Sequence, residues 1–296
     1  MKPETRRIIL TIREYENSIE MPDRQRLTYL DDNDFVHLKK GDVFASHYKH
    51  YADKCFQYLR FGDDIDLATS GALSRYDSLE VCQTPRLLLR AGLSEAPMLY
   101  TQRHLLEALH KKSPSNSHWH GLTIPQMKRL PALLERPAIL CDSPTRKDTL
   151  IAVLPAIDNE RLPLMVAIQP EGKSFYGGRE VKTNMVLSVY GKYDLEKYLR
   201  DRITPERVIY INKEKSQELE RLARLQLPGN YSNLDFNTIL HRPQCLVNSP
   251  RSEPEKPKSL LERSRESKQV ARELDQQGHY SELEVRRHHQ IDLRDR

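Results

Sequence analysis

Between Ala138 and Gly191 the chain holds four strand-like runs in close succession, "AILCDS", "TLIAVLPAI", "LPLMVAIQP" and "VKTNMVLSVYG". They are parted by "PTRKD", "DNER" and "EGKSFYGGRE", stretches with the Pro, Asp, Asn and Gly chemistry of turns. Parallel neighbours need long crossover connections, so linkers this short predict an antiparallel meander. Beyond it, "YDLEKYLRDR" predicts a helix and "RVIYIN" a fifth strand; "KEKSQELERLARLQL" predicts a closing helix with apolar positions 219, 222, 225 and 227. Upstream, "MLYTQRHLLEALHKK" predicts a helix near 101–112 with Thr101 as its N-cap, and Thr123 is placed to cap "IPQMKRL" before the proline-bounded turn "PALLERP". The expected class is α+β, with helices leading into an antiparallel sheet of about five strands.

The flanks differ in character. Residues 1–80 are mixed and tyrosine-rich, with a strand-like "RRIILTIREY" and a helix-like "FASHYKHYADKCFQYLRFG" but no recognisable motif. Residues 81–246 form the expected α+β domain, opened by "CQTPRLLLRAGLSEAP", a short apolar helix between a proline and a glycine. Residues 247–296 are dominated by Pro, Ser, Glu, Lys and Arg, the composition of a disordered or partly helical tail. Within it, "SLLERSRESKQVARELDQQG" predicts a mixed-charge helix that persists only when a partner covers Leu260, Leu261, Val270 and Leu274.

A formal charge of +5 permits nucleic acid as a partner without requiring it. Cys55, Cys82, Cys141 and Cys245 never form a CxxC pair, so neither a zinc knuckle nor a redox motif is written here, and reduced thiols are expected. No apolar run approaches the 18 or so residues of a membrane span, so no membrane partner and a cytoplasmic location are expected.

The succession "HLLEALHKK…HWHGLT…LLERPAILCDS", then "NMVLSVYGK" and "VIYINKEKS", resembles the phage MuF C-terminal domain family over roughly residues 98–240. That family is grouped with the barnase, EndoU, colicin and RelE-like nuclease fold. The resemblance implies a compact α+β domain in a phage or mobile-element protein, with RNase-type toxin activity, and RNA or an immunity or phage protein as partner. Because folds host many functions, the residues must make the chemical case themselves.

Metal-independent RNA cleavage needs a base for the 2′-hydroxyl proton, an acid for the leaving 5′-oxygen, and a cation or donor for the phosphorane's charge. "HKKSPSNSHWHG", residues 110–121, supplies His118 and His120, whose unperturbed pKa suits both proton transfers. Two positions apart, they point to opposite sides of an extended segment, so one of them faces any given site. The same loop also reads as a polar connector in which Trp119 packs on the domain. A metal site is the least supported reading, because no further ligand has a recognisable spacing, and no cofactor is expected. On the strand "VKTNMVLSVYGK", alternation places Asn184, Val186, Ser188 and Tyr190 on one face as a substrate-binding line, a pattern that a half-solvated strand shares. Lys213, Lys215 and Ser216, where the last strand gives way to the last helix, are placed to contact phosphate or simply to start a charged helix. The candidate catalytic set is therefore His118, His120, Lys213, Ser188 and Tyr190, with Asn184, Lys215 and Ser216 for substrate binding.

Overall fold

In the computed structural model, the described residues are 2–74, 76–109 and 121–228, together with the helical positions Arg265, Lys268 and Gln269. The N-terminal "RRIILTIREY" is part of a helix, α1 (Pro3–Ser18), and not a strand. Pro3 sits in its first turn, and Ile8, Ile9, Ile12 and Tyr15 form one buried stripe at helical spacing. A run of β-branched residues raises strand propensity, but the 3.6-residue period of burial decides the outcome.

A small hairpin follows, β1 (Thr28–Leu30) paired with β2 (Val36–Leu38), and then a 3-10 turn, Asp42–Tyr48, that feeds α2 (Lys49–Thr69). The next elements are β3 (Ser78–Gln83), α3 (Arg86–Arg90), β4 (Pro97–Thr101) and α4 (Gln102–Leu109). After the histidine loop come α5 (Ile124–Lys128) and α6 (Leu130–Glu135). Thr123 caps α5 through a reciprocal capping box with Gln126, as the sequence predicts.

The four strand-like runs fold as β5 (Ile139–Asp142), β6 (Leu150–Ile157), β7 (Pro163–Tyr176) and β8 (Arg179–Gly191). They are succeeded by α7 (Leu195–Arg202), β9 (Val208–Ile211) and α8 (Lys213–Ala223). The meander is present, but the sheet is not five antiparallel strands. Seven strands lie in the order β3-β4-β8-β7-β6-β5-β9, and β4 runs parallel to β8. β4 is easy to miss because Met98, Leu99 and Tyr100 are all buried and give a continuous apolar run that merges with the helix after it.

Helices cover both faces of the sheet. On one face Phe61 and Ile65 of α2, Leu105 of α4, Met127 of α5 and Leu130 and Leu134 of α6 meet Leu140, Ala152, Leu154, Val166 and Ile168. α1 packs on α2 and shares this same core, so residues 3–80 are continuous with the sheet, and β3 straddles the expected boundary at residue 80. On the other face Leu195 and Leu199 of α7 and Leu219 of α8 meet Ile139, Cys141, Ile151, Val153 and Met165.

The long β7–β8 hairpin turns at Gly177 and Gly178, both at positive φ as a tight hairpin turn requires. Its outer half leans over β4 and β3. The Ser174 and Ser78 hydroxyls lie 2.7 Å apart, and Gly177 N–H donates to Asp77 at 3.2 Å. The bend needs Gly172, since a Cβ there would come within 2.6 Å of the Met185 side chain. Leu99, Met185 and Leu187 are buried together in this region, with Tyr176 and Val181 of the hairpin packed against them.

No helix among the described residues is long and apolar enough to cross a membrane.

Candidate functional site

The expected polar line on β8 does not form as drawn. The register slips between Ala167 and Ile168 on β7, so Ser188 opposes Ala167 while Val186 opposes Ile168, and Leu187 is the extra residue of a bulge. Val186 and Val189 consequently share the α2 side of the sheet, whereas Tyr190 packs on the α7–α8 side. Ser188 shares the Tyr190 side through its pairing with Ala167. Asn184 is fully buried, and its amide donates to Thr84 Oγ1 at 2.8 Å and to the Ser94 carbonyl at 2.9 Å. In this structure it fastens β8 to the β3–β4 connection.

Lys213, Lys215 and Ser216 sit at the start of α8. Asn212 caps that helix by accepting from Lys215 N–H at 3.0 Å, and the Ser216 hydroxyl is buried against the Ala138 carbonyl at 3.3 Å. Lys215 Nζ lies 2.6 Å from Glu218, while Lys213 is exposed. One row of paired residues, Tyr190, Met165, Val153, Ile139 and Ile211, runs across the sheet from β8 to the strand just before Lys213. Four strand spacings of about 4.8 Å put its two ends roughly 19 Å apart. α8, about 16 Å long at 1.5 Å per residue, crosses from β9 to the β6–β7 turn, where Arg161 donates to the Leu222 carbonyl at 3.1 Å. Lys213, at the start of α8, and Tyr190 thus lie at opposite ends of this row, and they do not converge on one atom.

His118 and His120 lie outside the described residues. The chain is described again from Gly121, and the Gly121 carbonyl accepts from Asn159 N–H at 3.3 Å in the β6–β7 turn. Gln126 adds a contact to the Ile157 carbonyl at 3.3 Å. Gly121, the residue after His120, therefore meets the sheet at the turn that also carries Asp158.

Asp158 is a residue that the sequence reading passed over. It is 4% exposed, its Oδ1 accepts from Glu160 and Leu162 N–H at 2.9 and 2.8 Å, and burial raises its pKa above the usual carboxylate range. Its other oxygen lies directly against Gly191, where any Cβ would overlap it. Asp158 is thereby flanked by the Tyr190–Lys192 stretch on one side and Gly121 on the other. Lys192 Nζ sits 4.5 Å above the Tyr198 ring, a cation–π distance. The available signal was the "YGK" of "NMVLSVYGK": a glycine ending a strand marks a close approach, and here the approaching group is a carboxyl.

Among the described residues the thiols offer no nucleophile. Cys55, Cys82 and Cys141 are buried, and burial pushes Cys141 up to about 12. Among the described residues no three His, Cys, Asp or Glu side chains are grouped to hold a metal ion.

Fold and site together define an α+β protein with a helix-flanked mixed sheet and a polar, aromatic-bearing cluster at one end of it. Residues 111–218 match the family model of the phage MuF C-terminal domain. The matched stretch runs from the histidine loop through β9 into α8, and leaves β3, β4 and the first four helices outside. No curated protein and no solved structure matches the chain.

Proposed function

We infer that this is a phage- or mobile-element-associated protein whose central part is a metal-independent, toxin-like endoribonuclease. The observation that carries the reading is the contact of Gly121, the residue after His120, with the β6–β7 turn, beside Asp158 and the Tyr190–Lys192 stretch. The match to the phage MuF C-terminal domain over this same region supports the association with phage.

In this reading His118 or His120 removes the 2′-hydroxyl proton and returns a proton to the leaving 5′-oxygen. Tyr190 and Ser188 orient the scissile nucleotide, and Lys192 steadies the charge that develops on phosphorus. Lys213 and Lys215, at the start of α8, contact a neighbouring phosphate and take no part in the bond change. Asn184 and Ser216 hold the strands and helix that carry these groups. No cofactor enters the scheme.

The test is incubation of the full chain with labelled RNA in EDTA beside a His118→Ala/His120→Ala double variant. Cleavage by the parent alone is expected. Intact RNA with both proteins, each folded by circular dichroism, would sink the nuclease reading.

A second reading, a non-catalytic interaction module for a phage, mobile-element or immunity protein, is favoured by a different observation. Tyr29, Leu30, Phe35, Val43 and Phe44 all stand exposed on the N-terminal hairpin and the 3-10 turn after it. Nucleic-acid binding without cleavage is the third outcome that the RNA assay separates.

A further inference from the structure

The link between β8 and α7 is built in an unusual way. A residue just before a helix N-cap commonly packs against the fourth residue of the helix, closing the apolar end of the first turn. Here those positions are Tyr193 and Tyr198, on either side of the cap residue Asp194. Tyr193 is nevertheless 73% exposed. Two features hold it out. Asp194 takes a left-handed conformation, φ 48° and ψ 46°, which re-aims the entering chain, and Lys192 occupies the Tyr198 ring face that Tyr193 would otherwise cover. Aspartate is among the side chains that tolerate this region, so the turn forms without a glycine.

The surroundings suit one ligand. Within nine residues the chain carries Tyr190, Lys192, Tyr193, Lys197 and Tyr198, and Arg161 projects from the neighbouring β6–β7 turn. The nearby acids are Asp194, which is exposed beside Tyr193, and Glu196 and Asp201, which share Arg200 at 3.4 and 3.3 Å. An exposed aromatic ring with cations beside it is the arrangement that stacks an unpaired base while holding the backbone on either side.

We propose that Tyr193 is a stacking platform for a base of single-stranded RNA, with Lys192 and Lys197 at the adjoining phosphates. This deepens the ribonuclease reading and rests on it: the substrate is unpaired RNA, entering at the β8–α7 link next to the turn that Gly121 meets. Duplex RNA buries its base faces and gains nothing from the ring.

The experiment measures binding of the full chain to a short labelled 2′-O-methyl oligouridine in EDTA, with a duplex of the same chemistry as comparison. The blocked 2′-oxygen prevents cleavage, so binding is read alone. Tyr193 is exposed, so Tyr193→Ala is expected to fold normally. It should weaken single-strand binding about five- to 150-fold, with Tyr193→Trp restoring it and duplex binding unchanged. If the parent binds the single strand and Tyr193→Ala binds it equally, the platform is overturned while the RNA reading survives. If the parent binds no single strand, the platform is overturned as well, and the cleavage assay above decides separately whether the ribonuclease reading falls with it.

Discussion

The β1–β2 hairpin and the 3-10 turn after it are tied to α1 and to each other by polar side chains, whereas the centre of the meander from Ile139 to Gly191 is held by apolar ones. Glu16, fully buried on α1, accepts from Leu27 N–H at 2.5 Å and from the Thr28 hydroxyl, so one carboxylate anchors the start of the β1–β2 hairpin. His37 on β2 sits between Asp42 at 2.8 Å and Asp31 at 3.1 Å, and Asp42 also accepts from Leu38 N–H at 2.9 Å. In the meander such ties gather at its turns and at the β4 junction, on Ser143, Asp158, Thr183 and Asn184, while its centre interleaves Leu, Ile, Val and Met side chains between two helical layers. The difference teaches where each region is vulnerable: directional bonds respond to protonation, while close packing responds to volume.

The largest expected effect lies in the meander. Met165 is fully buried in the row that crosses the sheet, and Met165→Ala should cost about 2–5 kcal/mol in urea unfolding, as large-to-small core changes do. A loss below about 1 kcal/mol would mean that the α7–α8 layer collapses to fill the space, and the packing half of the contrast would fail.

An intermediate effect is expected where the two kinds of bond meet. Gly191→Ala forces a methyl onto Asp158 and Leu162, an overpacking cost of about 1–3 kcal/mol. Adding Asp158→Ala should recover part of that loss in a double-mutant cycle, because it removes the atom that is struck. Strictly additive losses would show that Asp158 is not the obstacle.

The smallest effect is a pH response confined to the hairpin. Hydrogen bonds that the His37 ring donates to Asp42 and Asp31 raise its pKa, so the clip's stabilisation is complete below the ordinary histidine value and fades as pH rises through the raised one. Asp31 is lowered, first by the Phe35 N–H, and Asp42 is lowered despite its burial by Leu38 N–H and His37. Their share is present above the ordinary carboxylate range and is lost as pH falls. The hairpin should be tightest between about pH 4 and 6.5 and loosen toward alkaline pH. Hydrogen exchange at Leu38, corrected for intrinsic rate, reads this, with Met165 as the unresponsive reference. His37→Gln should flatten the profile, and an unchanged profile would remove His37 from the account.

The same division explains what was legible in the sequence. The four meander strands, α7, β9 and α8 could be read because long apolar runs between Asp, Pro and Gly turns leave little choice. α1 was misread because its isoleucines favour a strand locally and only tertiary burial shows the helical stripe. β3 and β4 escaped because short, mostly buried strands carry no alternation, and the strand that β4 joins in the sheet, β8, lies more than eighty residues downstream. On β8 the strand was legible but not the slip at Leu187, which one unpaired residue causes and which reverses the faces beyond it. The motifs "NMVLSVYGK" and "VIYINKEKS" turn out to be rich in fold-holding groups: Asn184, Gly191, Asn212 and Ser216 all serve strand or helix junctions. A motif that recurs can mark an architecture as readily as a reaction.

The parallel pairing of β4 with β8 has a practical meaning for anyone wishing to excise the matched region. A chain begun at residue 111 would keep the meander but forfeit the strand that covers the flank of β8. It would leave Met98's pairing partner Asn184 without Thr84 or Ser94, and would present the unpaired backbone edge of Asn184–Val186 to solvent. Such a fragment would be prone to sticking to its own kind. The boundary of the folding unit therefore lies well upstream of the boundary of the recognisable family.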